Sequence, residues 1–177
     1  MILNPLDPDL KQQQFLELYE PAHERLSRFI QSTVWNREDA KDIFSETVLI
    51  AYEKFDRLKN REAFLYFLFG IASRLAMRRD RRKKFLDFTG HSAVEVIAED
   101  PCDSPLDVSQ LYEALSRLPL KQRETITLFE ISGFSLNEIR EIQGGSLSGV
   151  KSRLVRARDE LSRLLKAQVL HEETRKF

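Results

Sequence analysis

The sequence predicts an all-α protein: two small helical domains joined by an acidic linker. Three observations point there. Glycine and proline are scarce, six of each in 177 residues, while 32% of residues are charged, a balance that favours helices over sheets. Apolar residues recur at helical spacing over long stretches, and no run of alternating β-branched residues bounded by turns reads as a strand. Charge is segregated along a chain of zero net charge: residues 61–85 sum to +6, residues 86–116 to −7 and residues 117–166 to +4. The expected units are 1–86, a linker over 87–104, and 105–177, each helical unit closing its own small core.

The elements follow in order. A first helix is expected from about Pro8 to Ser32, with Asp7 as its cap and Pro8 at the first helical position. Phe15, Leu18, Tyr19, Ala22, Leu26, Phe29 and Ile30 share its inner face. Pro21 predicts a kink or break, because proline lacks the N–H and its ring crowds the preceding turn. Asn36 caps a second helix, with Glu38 and Asp39 in the favourable first turn. Ala40, Ile43, Phe44, Thr47, Val48, Ala51, Tyr52 and Phe55 form its apolar stripe; Asp42, Ser45, Glu46, Leu49 and Glu53 lie opposite. A third helix should start near Asn60 and run through FLYFLFGIASRLAMRRDRRKK. It is apolar nearly all round at first, which suits the middle of a bundle, and basic at its end.

From Asp87 to Asp103 the periodicity vanishes and the chain reads as a mobile acidic linker. Ser104-Pro105 can open a helix through Leu115, and Pro119 another through Ile131 with Gly133 at its exit. Ser135-Leu-Asn-Glu138 has capping-box spacing. Gly144 can end that short helix, and Ser146 can cap a last one reaching about Ala167.

Several function classes are set aside. Cys102 is the sole cysteine, which excludes an internal disulfide and a cysteine-based zinc site. His23, His91 and His171 show no ligand spacing. No nucleophile–base constellation and no glycine-rich phosphate loop can be assigned, so neither an enzyme nor a cofactor is expected. No basic-apolar-small leader opens the chain, and the longest apolar run, Phe64–Ala72, is too short for a bilayer. The expectation is a cytoplasmic protein without membrane insertion.

The stretch GFSLNEIREIQGGSLSGVKSRLVRARDEL carries the sharpest signal. Two short helical patterns flank Gly144-Gly145, as in a helix–turn–helix. Ile139, Ile142, Val150, Leu154, Ala157 and Leu161 can close one apolar core. Ser148, Lys151, Ser152 and Arg156 can then point outward, with Arg153 and Arg158 at the flanks, and hydroxyls at the helix start, Ser146 among them, can hold phosphates. Such a helix fits the major groove, where base edges carry a readable code. Spacing alone leaves a second option open, an amphipathic helix with a solvated basic face.

The block ALSRLPLKQRETITLFEISGFSLNEIREIQGGSLSGVKSRLVRARDEL resembles the fourth conserved domain of bacterial RNA polymerase sigma factors of the extracytoplasmic-function (ECF) group. The matching positions are Leu118-Pro119, Arg123, Gly133, Ser135, Glu138-Ile139, Gly144, Val150–Leu154 and Arg156–Arg158. EDAKDIFSETVLIAYEKFDRL and AFLYFLFGIASRLAMRRDRRKK resemble the second domain of the same family, in the right order. Arg140 stands where the family usually has alanine, Gly145 replaces an apolar residue, Ser45 a glutamine and Phe67 a tryptophan.

The resemblance implies a factor that directs core RNA polymerase to promoter DNA and assists strand opening. It assigns polymerase docking to Asp39, Asp42, Ser45, Glu46 and Leu49. It assigns the promoter element near −10 to Tyr66, Phe67 and Phe69, as stacking surfaces, and to Arg74, Arg78, Arg79, Arg81, Arg82, Lys83 and Lys84, as phosphate ligands. The helix–turn–helix would read the element near −35. An inhibitory anti-sigma protein is also implied, and the acidic linker would lie along the polymerase cleft. The alternative is a helix–turn–helix regulator that binds duplex DNA without serving as a polymerase subunit.

Overall fold

The computed structural model describes residues 8–88 and 106–174, with side chains over 8–85 and 110–167. The linker acids Glu95, Glu99, Asp100 and Asp103 lie outside the described residues. Every regular element among those described is helical.

Helix α1 spans Pro8–Thr33 and runs unbroken through Pro21, contrary to the break that this proline suggests. Pro21 is exposed while Ala22 and Leu26 are buried beside it. The carbonyl that proline leaves unpaired therefore faces water, and the buried flank holds the helix. Helix α2 spans Arg37–Glu53, and the Asn36 side chain accepts from the Asp39 amide at 2.9 Å as the spacing predicts. Short 3₁₀ turns over Phe55–Arg57 and Arg61–Ala63 lead into α3, Phe64–Phe88, which extends past the expected linker start at Asp87. The C-terminal half holds α4 (Leu106–Ser116), α5 (Leu120–Ile126), α6 (Leu136–Gln143) and α7 (Leu147–Thr174).

The stretch expected to be α-helical through Ile131 instead widens into a π turn over Thr127–Ile131, where the Ser132 amide reaches back to the Thr127 carbonyl at 2.9 Å. Gly133 follows with φ of 69°, a conformation that disfavours a side chain. Together they turn Phe134 inward. Ser135 and Glu138 form both bonds of the predicted capping box. Gly144, at φ 72°, closes α6. The Ser146 hydroxyl accepts from the Gly149 amide at 3.1 Å and so caps α7.

The halves do not pack independently as expected. Phe15, Leu26, Phe29, Ile43, Phe64, Leu68 and Phe69 of the N-terminal half share one buried cluster with Leu128, Phe134, Ile139, Ile142 and Val150 of the C-terminal half. A second cluster, built on Leu115, Leu118, Ile126, Leu154 and Ala157, takes Trp35 from the N-terminal half against its edge. The sequence shows apolar stripes on both halves but not that the stripes are wide enough to serve two partners each.

Candidate nucleic-acid and polymerase interfaces

Helix α7 presents its basic face as the spacing requires. Val150, Leu154 and Ala157 are buried, and this inner stripe turns Ser148, Lys151, Ser152 and Arg156 to solvent. Arg156 donates to the Ser152 carbonyl at 3.2 Å, laying its side chain along the helix. Val155 is 56% exposed on this same face, an apolar group among cations that sequence reasoning passed over. Nothing in the heptad pattern marks it, because buried Leu154 stands beside it.

The flanking arginines behave differently. Arg158 donates to Glu130 Oε1 at 2.6 and 3.0 Å and covers the Phe129 ring, its guanidinium 5.2 Å from the ring centre. Arg153 is half-buried, with Nε and Nη2 enclosed and unpaired. Neither offers a free fork to DNA in this conformation. Arg140 keeps its charge outside by pairing with Glu141 at 2.6 Å, its stem partly covered.

On α3, Arg74, Arg78, Arg81, Arg82, Lys83 and Lys84 are exposed, whereas Arg79 is half-buried. Several are paired with the acids expected to meet the polymerase. Arg79 bridges Asp39 at 2.6 Å and Asp42 at 2.9 Å, Lys83 meets Asp39 at 2.5 Å, and Arg78 meets Glu46 at 2.7 Å. Burial opposes ionisation of Asp39, but the bonds and charges of Lys83 and Arg79 outweigh it and hold the carboxyl below its usual range. Asp39 is thereby a structural brace between α2 and α3. Ser45 and Leu49, the latter 57% exposed, stay free of such ties on the outer face of α2.

The aromatic trio divides. Tyr66 and Phe67 are half-buried. Phe69 is fully buried, 5.2 Å from the Phe29 ring and 4.9 Å from the Phe134 ring, so no base can stack on it here. This corrects the expectation for Phe69, whose place on the all-apolar half of α3 gave no way to tell an inward ring from an outward one.

A further set of polar side chains, unforeseen as a group, ties the two halves. Tyr66 donates to Glu138 Oε1 at 2.8 Å, and Ser73 donates to Glu124 Oε2 at 3.1 Å. Arg25 donates to the Ser132 carbonyl at 2.5 Å with its guanidinium 4.4 Å from the centre of the Phe134 ring. Arg123 donates to the Thr33 carbonyl at 2.7 Å and to the Ser116 and Leu118 carbonyls at 2.9 and 3.0 Å. Its face lies 5.4 Å from the centre of the Trp35 ring. Burial pulls the Arg123 guanidinium down to about 10 against the charges of Asp80 and Glu124.

Residues 18–85 match the Sigma-70 region 2 family and residues 109–161 match Sigma-70, region 4. The ECF RNA polymerase sigma factor EcfG of Rhodopseudomonas palustris is 32% identical over 142 residues, covering 79% of this chain and 78% of EcfG. This chain belongs to the ECF sigma factor family. The sigma factor SigV of Bacillus subtilis is 30% identical, over 80% of this chain and 82% of SigV. The solved sigma factor RpoE of Bartonella quintana, in complex with the anti-sigma factor NepR, aligns with a TM-score of 0.72 and 30% identity over 90% of this chain and 98% of its own. CnrH, solved with the cytosolic domain of CnrY, gives a TM-score of 0.64 and 25% identity over 88% and 90%.

In this sigma factor α1–α3 are thus region 2 and α4–α7 region 4, which sets aside a free-standing duplex-DNA regulator: such a protein has no need of the region 2 unit. Sigma factors initiate transcription without catalysing it. Among the described residues no helix is long and apolar enough to cross a membrane.

Proposed function

We propose that this chain directs core RNA polymerase to specific promoters in the cytoplasm and assists strand opening, leaving all bond chemistry to the polymerase. The observation that carries the reading is the exposed basic face of α7, Lys151, Ser152 and Arg156, linked in one chain to a region 2 unit whose α3 ends in a run of cations. The first turns of α7 enter the major groove at the upstream element. Lys151 and Arg156 meet phosphates and base edges, and the methyl groups of Val155 suit a thymine methyl.

The cationic end of α3 holds the backbone of the downstream element, with Tyr66 and Phe67 offering faces to unpaired bases. Ser45 and Leu49 lead the docking surface for the polymerase. Asp42 and Glu46 join it by exchanging Arg79 and Arg78 for partner cations, a swap that costs little because exposed ion pairs are worth at most about 1 kcal/mol. The functional units run over 1–86 and 105–177, and 87–104 connects them. An anti-sigma protein is the expected inhibitory partner, since RpoE was solved with the anti-sigma factor NepR.

Reconstitution tests this. Purified protein added to core polymerase on genomic DNA should give run-off transcripts from defined start sites. No defined start, while a control sigma factor produces them under the same conditions, would overturn the proposal.

A further inference from the structure

We propose that Phe85 and the arginines beside it form a second single-strand contact at the far end of α3, where Arg78, Arg81 and Arg82 take phosphates and the Phe85 ring stacks on an unpaired base. This rests on the promoter-directed reading above and adds to it a residue and a second place where the opened strand is held.

The last turns of α3 have two unlike sides. On one, the cations are committed within the fold: Arg79 bridges Asp39 and Asp42, and Lys83 meets Asp39. On the other, Arg78, Arg81, Arg82 and Phe85 fall at i, i+3, i+4 and i+7 and line one shallow concavity. Arg81 and Arg82 make no ion pair with any described residue, and Arg78 has only Glu46, at 2.7 Å. Phe85 is 68% exposed, the most of any large apolar side chain among the described residues.

A phenyl ring among cations is a poor centre for an apolar protein contact, since covering it would also strip water from the guanidinium groups. A nucleic-acid strand meets both demands at once. Its phosphates neutralise the arginines, and a base offers a flat face to the ring.

A track joins this end of α3 to the aromatic residues at its start. Phe67, Arg74, Arg78 and Phe85 follow at i, i+7, i+11 and i+18, so all four lie along one side of the helix. Arg74 is exposed and Phe67 half-buried. Between Phe67 and Phe85, α3 advances about 27 Å at about 1.5 Å per residue. One strand covers that length with about eight nucleotides at about 3.4 Å each. The two rings therefore hold different bases, with the arginine stripe on the backbone between them.

The test uses holoenzyme assembled from the full chain and core polymerase, on a fork-junction probe cut from a promoter mapped by the run-off assay. Phe85 and Arg81 are exposed, so their substitution leaves the core intact. Phe85→Ala and Phe85→Leu should each weaken binding by at least about fivefold, whereas Phe85→Trp, which keeps a flat ring, should stay within about twofold. None should alter affinity for a duplex carrying only the upstream element. Phe85→Ala should leave the slope of affinity against salt unchanged, and Arg81→Ala should reduce it by about one. A 2-aminopurine base moved along the non-template strand should brighten with Phe85→Ala at one position, about eight nucleotides from the position that responds to Phe67→Ala. Full affinity in Phe85→Leu means that the side chain only fills space, and overturns the proposal. Equal losses on the fork and on the upstream duplex overturn it too, because the site would then hold duplex backbone. If the run-off assay maps no promoter, the promoter reading falls, and the free chain decides the contact separately. In a Trp35→Phe background, the indole of Phe85→Trp should be quenched by an oligothymidylate at low salt, and unquenched emission overturns the contact.

Discussion

Glu124 is the residue whose chemistry is most altered by the fold. Its side chain is fully buried between α3 and α6, where it accepts from Ser73 and, at 3.2 Å, from Gln143 Nε2. Burial pushes its carboxyl up from 4.5 to about 7, against the opposing effects of Lys121, these two hydrogen bonds and Arg123. A carboxyl with a raised pKa in the folded state binds its proton more tightly there than in the unfolded chain. Its burial is therefore tolerated without penalty below about pH 4.5, and stability declines as pH rises toward 7. Glu124→Gln keeps an acceptor oxygen and removes the charge. It should stabilise the protein by on the order of 1–3 kcal/mol at pH 8 and by nothing measurable at pH 4.5. Chemical denaturation at the two pH values checks both the size and the sign.

At the scale of the element, the helix–turn–helix owes its geometry to its ends. The Ser135 amide donates to Glu138 Oε2 at 2.7 Å and the Glu138 amide reaches the Ser135 hydroxyl at 3.4 Å, so α6 starts at a defined residue and angle. Ser135→Ala should cost about 1 kcal/mol of stability, read as a lower denaturant midpoint with an unchanged slope. The recognition helix is the other element with a measurable consequence. Lys151→Ala should weaken promoter binding uniformly across sequences and reduce the slope of affinity against salt by about one. Arg156→Ala should cost about 1–3 kcal/mol and also relax preference at one position of the upstream element. Anisotropy titrations at several salt concentrations separate the two effects.

For the whole molecule, the shared core decides how it unfolds. Leu128, from region 4, lies fully buried in the cluster that also holds Phe29, Leu68 and Phe69 of region 2. Leu128→Ala should destabilise by about 2–5 kcal/mol, the range for deleting a buried leucine side chain. Because the cluster spans both halves, the loss should move a single cooperative transition in the free protein. Two independent domains would instead leave an N-terminal transition in place.

The helices were legible because a period of 3.6 needs only neighbouring residues, and their ends because capping is local chemistry: Asn36, Ser135, Gly144 and Ser146 act within four positions of themselves. The basic face of α7 was legible for the same reason, as the inner stripe of Val150, Leu154 and Ala157 fixes the outer one. What the amino-acid order could not reveal was which half each remaining stripe would meet. Phe69 and Tyr66 differ in exposure because Phe134, sixty-odd positions away, fills one side of α3. The ties of Arg25, Arg123, Glu124 and Glu138 likewise join residues far apart in the chain. Periodicity reports that a face is apolar but carries no label for its partner. Only the packed arrangement of α3 against α5 and α6 turns a set of DNA-reading candidates into a covered surface.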